Sequence, residues 1–319
     1  MRAGAGGKNR EYALSEVVGF VLLLGVVVAA MALWMMYVVP IHGREAEITQ
    51  MNEVKDRFTD YKISLDSVWV NSPYGASYSQ NGALLSTSIN LGTGGGNTQA
   101  TGLFLPMMDP VASSATLAVK DNRDIINVST DGPNGWWSQR YNMTVLEYQS
   151  QNYYWIQQYY YYQSGGVFLY QENGSICRVS PPITFVNNSD FTHSVTVVPI
   201  KLNGVASMGG NGPVRVDSRM KALDQPKQMQ NAWVNVCVTV SNYTTAKTWL
   251  EVFNSSRRIG GISDANSYVP YLSSMEVYPY HASMKIIGPT VAETSSDVVM
   301  MVQPVEYDVS LNSIASDYS

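Results

Sequence analysis

Residues 13–39 read ALSEVVGFVLLLGVVVAAMALWMMYVV, and no residue from Val17 to Val39 carries a charge. A helix over that run is about 35 Å long, enough to cross a hydrocarbon core of about 30 Å. Glu16 sits at its edge, and a Gly-rich leader with Arg2, Lys8 and Arg10 precedes it. A cleaved secretory signal fits poorly, because its apolar part is about 7–15 residues long and ends in a small-residue cleavage site. Here the run ends in Trp34, Met35, Met36, Tyr37 and Pro40. The sequence therefore predicts a retained membrane-crossing helix, with the basic leader in the cytoplasm and everything after Val39 outside.

Working outward, Pro40 either kinks the helix or restarts it at a first-turn position. From Arg44 to Trp69 the helical pattern returns. Met51, Val54, Phe58, Tyr61, Leu65 and Val68 are spaced 3, 4, 3, 4 and 3 apart, with Glu53, Lys55, Asp56, Arg57, Asp60 and Lys62 on the other faces. That seam can face another helix or the chain's own sheet. It is barely three heptads long, which favours the sheet.

After Asn71-Ser-Pro-Tyr-Gly and a linker to about Gly82, the period changes to two. Leu85, Thr87, Ile89 and Leu91 alternate with polar residues, as do Ala232 to Val240 and Val305 to Leu311. Shorter strand-like runs fall near 103–105, 116–119, 141–148, 166–171, 183–186, 194–202, 284–287 and 298–302. Many short strands between Gly, Pro, Asn and Asp clusters predict a mainly antiparallel β-sandwich. Thr245–Phe253 reads as a short surface helix. The expected fold is α+β. A long N-terminal helix covers 13–71, apolar over 13–39 and amphipathic over 44–69, and a β-rich domain covers 72–319. A break near 190–215, with Gly209-Gly210-Asn211-Gly212-Pro213 as joint, marks a candidate division into two subdomains.

The start Arg10-Glu11-Tyr12-Ala13-Leu14-Ser15-Glu16-Val17-Val18-Gly19-Phe20 resembles that of archaeal type IV pilin-like proteins, which carry a class III signal peptide. The resemblance implies that residues 1–12 are a leader removed by a prepilin peptidase within Arg10, Glu11, Tyr12 and Ala13. A cut after Tyr12 matches the Ala-Leu-Ser start. A cut after Glu11 puts Glu16 at the fifth mature position, and both remain open. It further implies that Glu16, Val17, Val18, Gly19 and Phe20 pack against copies of the chain or other pilin-like subunits in a filament core. The β ectodomain then lies outside. Glu16 would pair with a neighbour's new amino terminus, or else sit at the headgroup level before the span. More weakly, Val38-Val39-Pro40, the amphipathic helix, Ile89 to Gly95 and Leu103 to Pro106 resemble a group of large archaeal surface proteins with pilin-type starts. The alternative is a single-pass anchored surface ectodomain for adhesion or glycan binding.

Composition limits the other classes. Charged residues make up 14% of the chain, aromatic residues 11% with 21 Tyr, and the net charge is −5. No basic face for nucleic acid is expected. Two cysteines, Cys177 and Cys237, are candidates for a disulfide outside the cell, or for two buried thiols. His42, His193 and His281 lack ligand spacing, so no metal is expected. No GxSxG, HExxH, P-loop or dinucleotide motif occurs, so no catalytic residue or cofactor is assigned. Gly92-Thr-Gly-Gly-Gly lacks the P-loop lysine, and Asp121, Asp124 and Asp131 fit no Ca²⁺ loop. Sequons at Asn127, Asn142, Asn173, Asn187, Asn242 and Asn254, some of which an Asn- and Thr-rich chain gives by chance, all follow the apolar run on the expected outer side and are candidates for N-glycosylation. The run Tyr153-Tyr154-Trp155-Ile156-Gln157-Gln158 followed by Tyr159 to Tyr162 reads either as an adhesive or subunit-contact surface, or as strands whose rings cover the core edge with hydroxyls in water.

Overall fold

A computed structural model of the chain describes residues 8–73, 82–93, 109–133, 135–268, 278–290 and 295–313, with side chains from Glu16 onward. Residues 1–7 of the leader and the strand expected at 103–105 lie outside these. Helix α1 (Lys8–Leu33) runs through a π turn (Trp34–Val38) into α2 (Val39–Val70). The rod is about 95 Å long. Pro40 takes a first-turn position of α2. It has no N–H for the carbonyl four residues back, and its ring crowds that carbonyl. The wider π turn, with Val39 N–H donating to Trp34 O, carries the chain past it without a break.

The strands follow in the order β1 (Leu84–Asn90), β2 (Ser114–Asp131), β3 (Trp137–Gln151), β4 (Gln158–Gln163), β5 (Gly166–Gln171), β6 (Gly174–Val179), β7 (Ile183–Asn187), β8 (His193–Val197) and β9 (Ile200–Asn203). Then come β10 (Ala206–Gly210), β11 (Pro213–Leu223), β12 (Lys227–Asn231), β13 (Trp233–Val240), helix α3 (Tyr243–Ile259), β14 (Ser267–Tyr268), β15 (Tyr280–Ile287), β16 (Val298–Val302) and β17 (Val305–Ser313). The fold is thus α+β, a long N-terminal helix followed by mostly antiparallel sheets. Two sheets have four strands, in the orders β1-β11-β17-β9 and β12-β16-β8-β7. The large sheet runs β14-β15-β13-β2-β3-β4-β5-β6, with β10 beside the first part of β2. Only β16–β8 and β17–β9 pair in parallel among the described strands. The run expected at 194–202 is two strands, β8 and β9, that belong to different sheets.

Two cores lie on opposite faces of the large sheet. In the first, Met51, Val54, Phe58, Tyr61 and Leu65 of α2 pack with β1, β9, β11 and β17 and with Leu146, Tyr148, Tyr160, Tyr162, Val167 and Leu169 of the large sheet. The seam of α2 therefore faces the chain's own sheets. In the second, Trp249 and Phe253 of α3 pack with β7, β8, β13, β15 and β16 and with Met143, Val145, Tyr161 and Phe168. The helix expected as a short surface element is a 17-residue core helix, with both aromatic residues fully buried. Its exposed Lys247 and Glu251 disguised it in the sequence.

The division near 190–215 is not how the chain is built. Both small sheets draw strands from before and after that stretch, and Gly209 and Gly210 are paired to β2 rather than acting as a joint. The cores are separated across a sheet, not along the chain.

Buried polar bonds lock α2 in place. Gln50 Nε2 donates to Asn90 O at 2.7 Å, Tyr307 OH to Leu65 O at 2.7 Å, and the Tyr61 and Ser218 hydroxyls pair at 2.9 Å. Burial pushes the Tyr61 phenol well above its ordinary range. We expect Phe58→Ala to destabilise the folded chain by about 3–5 kcal/mol. Ile63→Ala, on the exposed side of the same helix, should change it by less than about 0.5 kcal/mol. Thermal unfolding of the detergent-solubilised full chain followed by circular dichroism measures both, and equal effects would refute the packing of α2 on the β domain.

Candidate functional site

The tyrosine run is explained by the two cores. On β4 side chains alternate between faces, so Tyr160 and Tyr162 enter the first core and Tyr161 the second. A strand buried on both faces reads as a continuous run. The expectation that these rings cover the core edge with hydroxyls in water does not hold for Tyr160, Tyr161 or Tyr162, which are buried, and Tyr153 is exposed on the turn between β3 and β4.

Where the second core ends, the same face of β3, β4 and β5 forms the floor of a cleft of about 290 Å³. Register sets its layout: Val145 lies opposite Gln163, Glu147 opposite Tyr161, and Gln149 opposite Tyr159, which in turn faces Tyr170. One wall is the start of α3, with Ser241, Asn242 and Thr245. The other is the bulge of β2 at Asn122 and Asp124. Asn242 Oδ1 accepts from Thr244 N at 2.8 Å and caps α3. Arg123 in the bulge has φ of 60°, stabilised by Asp121 Oδ1 accepting from its N–H at 2.9 Å.

The carboxylates of the cleft are engaged. Glu147 accepts from Lys120 Nζ at 2.8 Å and from Gln149 Nε2 at 2.6 Å. Asp124, almost fully buried, accepts from Gln163 Nε2 at 2.6 Å and from Ser241 N at 3.1 Å, and Gln163 Oε1 accepts from Trp249 Nε1 at 3.0 Å. This chain ties the β2 bulge, β4 and the start of α3 into one unit. Burial raises Asp124 from 3.8 to about 6 despite its two donors, and raises the Tyr161 phenol to about 12. What faces solvent is tyrosine rings, amides and hydroxyls, a surface suited to a neutral polar ligand. Asp131 lies at the far end of β2 from Asp121 and Asp124. No group of His, Cys, Asp and Glu able to hold a metal ion occurs among the described residues.

A second constellation lies where the rod enters the β domain. Buried Glu47 accepts the backbone N–H groups of Tyr153 at 2.7 Å and Tyr154 at 2.9 Å. The Tyr154 ring lies against Gly43, where a Cβ would come within 2.3 Å of it. Arg44 stacks over Trp155 at 4.4 Å, and Tyr154 OH accepts from Val111 N at 3.1 Å.

Of the residues singled out in the sequence, Glu16, Val17, Val18, Gly19 and Phe20 are exposed on the bare part of the rod. The backbone of Arg10, Glu11, Tyr12 and Ala13 is helical, and their side chains lie outside the described ones. Cys177 and Cys237 are free, which corrects the disulfide expectation. They sit on β6 and β13, with β5, β4, β3 and β2 between them in the sheet. Cys177 packs on the second core, whereas Cys237 alternates with Val236 and Val238 and faces the other way. A disulfide needs Cα atoms within about 7 Å and converging side chains. Burial raises the Cys177 thiol to about 11 and the Cys237 thiol as well, so both stay protonated. Asn142, Asn173, Asn187 and Asn242 are exposed, while Asn127 and Asn254 are half-buried. Asn242 also lines the cleft. The other cleft residues were not legible as a set, because cross-strand register assembles them from distant stretches.

Asp124 holds its proton more tightly folded than unfolded. Its contribution to stability therefore falls as pH rises from 3.8 through about 6 and is smallest above that window. Asp124→Asn should flatten this part of the stability–pH profile, measured by urea unfolding of the full chain at pH 4, 5, 6 and 7 (chosen conditions, roughly one ordinary titration range). An unchanged slope would contradict the assignment. No protein-family model, curated protein or solved structure matches the chain.

Proposed function

We propose that this chain is a pilin-like surface subunit, built to pack its bare apolar helix beside those of neighbouring subunits while its β domain faces outward. One observation carries the reading: a single unbroken rod is bare over its apolar first half and locked into the β domain over its second. The bare half has the length and composition to cross a membrane. Gly19 and Gly25 have no neighbouring atoms within 4 Å, leaving room for another helix to approach closely. Glu16 at the margin is available to a charged partner, and the pilin-type start supplies one in a newly cut amino terminus. A membrane-anchored binding domain, monomeric on the cell surface, is the second reading. It is favoured by the tyrosine-lined cleft, whose exposed groups suit a neutral glycan.

The two readings part at the amino terminus and at the helix. Mass spectrometry of the native cell-surface protein should find a mature start between Glu11 and Ala13. A Val21→Cys variant should give disulfide-linked dimers through the apolar helix. A retained Met1 together with no helix-to-helix cross-link would overturn the subunit reading and leave the anchored binding domain.

A further inference from the structure

We propose that the tip of the β3–β4 hairpin, together with Ile41 and Val111, is a second membrane-contact surface that seats the β domain in the lipid headgroup layer. It rests on the apolar helix lying in a bilayer.

Position comes first. The tip is fastened to the first turns of helix after the apolar run, by Tyr154 against Gly43, Arg44 over Trp155, and Glu47 under the Tyr153 and Tyr154 amides. Gly43 lies about 6 Å along the axis beyond Val39. The headgroup layer extends about 5–8 Å beyond the hydrocarbon on each side. With Val39 at the hydrocarbon boundary, Tyr154 and Trp155, held at Gly43 and Arg44, fall inside that layer, while Glu47, about 12 Å beyond Val39, holds the Tyr153 and Tyr154 amides at its outer margin.

The chemistry agrees. Tyr153 is 64% exposed, Ile156 50%, Ile41 58% and Val111 58%. Val111 joins the tip through Tyr154 OH, and Trp155 beside it is half-buried. Tyr and Trp are enriched at membrane–water boundaries, where a ring can be apolar at one end and hydrogen-bonded at the other. Trp34 and Tyr37 supply two more exposed rings just below, on the rod itself.

The tip is also rigid. Gln157 Nε2 donates to Asn152 O at 2.7 Å, Asn152 N to Gln157 Oε1 at 3.1 Å, and Asn152 Nδ2 to Ile156 O at 2.9 Å. Exposed apolar side chains held on a closed turn gain from burial in lipid with little further loss of conformational freedom. Of the charged groups around the tip, Glu47 is satisfied by two amides, Arg44 stacks over Trp155, exposed Glu45 lies 4.0 Å from His42, and Lys55 and Arg178 line a shallow cleft with Trp155.

The test places the photoreactive residue benzoylphenylalanine at Tyr153, Phe20 or Phe191 of the full chain, reconstituted in phosphatidylcholine–phosphatidylglycerol vesicles. Phe191 is 82% exposed. It lies on the β7–β8 turn, in the sheet on the opposite side of the large sheet from α2, and serves as the control. Lipid adducts at position 153 should exceed those at 191 by at least about tenfold, with strong adducts at 20. Adducts at 20 but none at 153 would overturn the seating surface and leave the membrane helix standing. Adducts at neither would remove the membrane reading and the proposal with it. Cross-links from 153 to a second copy of the chain in place of lipid would make the surface a subunit contact and overturn the proposal. As a second measure, Ile156→Ser should lower the yield of lipid adducts at 153, while an unchanged yield would count against the tip acting as a unit.

Discussion

One helix with two unlike surfaces sets the terms for the rest of the molecule. From Val17 to Val38 the side chains of the rod are apolar on every side and touch almost nothing in the chain. From Gly43 onward the apolar seam lies on one face, buried as far as Leu65 and half-buried at Val68 and Trp69. The first surface is stable only in an apolar medium or against other helices. The second must be covered by the chain itself. The switch occurs within one turn of Pro40, where the π turn keeps the helix continuous between the two halves. Because the β domain grips only the second half, the first remains free to be buried elsewhere.

The large sheet then carries an unusual load. One face receives α2, the other α3, so its central strands have no solvent side along part of their length. Tyr160, Tyr161 and Tyr162 follow one another because each alternate position needs a large apolar body. Tyrosine adds a hydroxyl, which on Tyr161 lies 3.5 Å from that of Ser175, whereas the Tyr162 hydroxyl is buried with no hydrogen-bond partner among the described residues. Trp249, Gln163 and Asp124 form the polar strut through this layer. They join α3, β4 and the β2 bulge, and where the packed part of that face stops, the cleft begins. The cleft is thus a consequence of α3 covering only part of the sheet.

Several elements were legible because their signal is local. The alternation at Leu85 to Leu91, at Val234 to Val240 and at Val305 to Leu311 marks β1, β13 and β17. The 3–4 seam from Met51 to Val68 marks the buried face of α2. Others were not, because their meaning is set by distant partners. Trp249 and Phe253 read as surface residues among Lys247, Glu251 and two arginines until a second core is placed over them. Cys177 and Cys237 read as a candidate pair until four strands and opposite faces separate them. Asp124 reads as one of three acidic residues that fit no Ca²⁺ loop until Gln163 and Ser241 enclose it.

A charge-free segment long enough to span a bilayer, leading into an amphipathic helix and a strand-rich domain, is legible along the chain alone. Hydrophobic period and run length are properties of neighbours along the chain. Which sheet each strand joins, the separation of two cores by a sheet, and the fastening of Tyr153 and Trp155 at the foot of the rod beside Gly43 and Arg44 come from the folded arrangement. These facts depend on contacts between residues roughly a hundred positions apart, such as Glu47 with the Tyr153 amide. They form when the rod and the sheets close on one another, and no window of local sequence carries them.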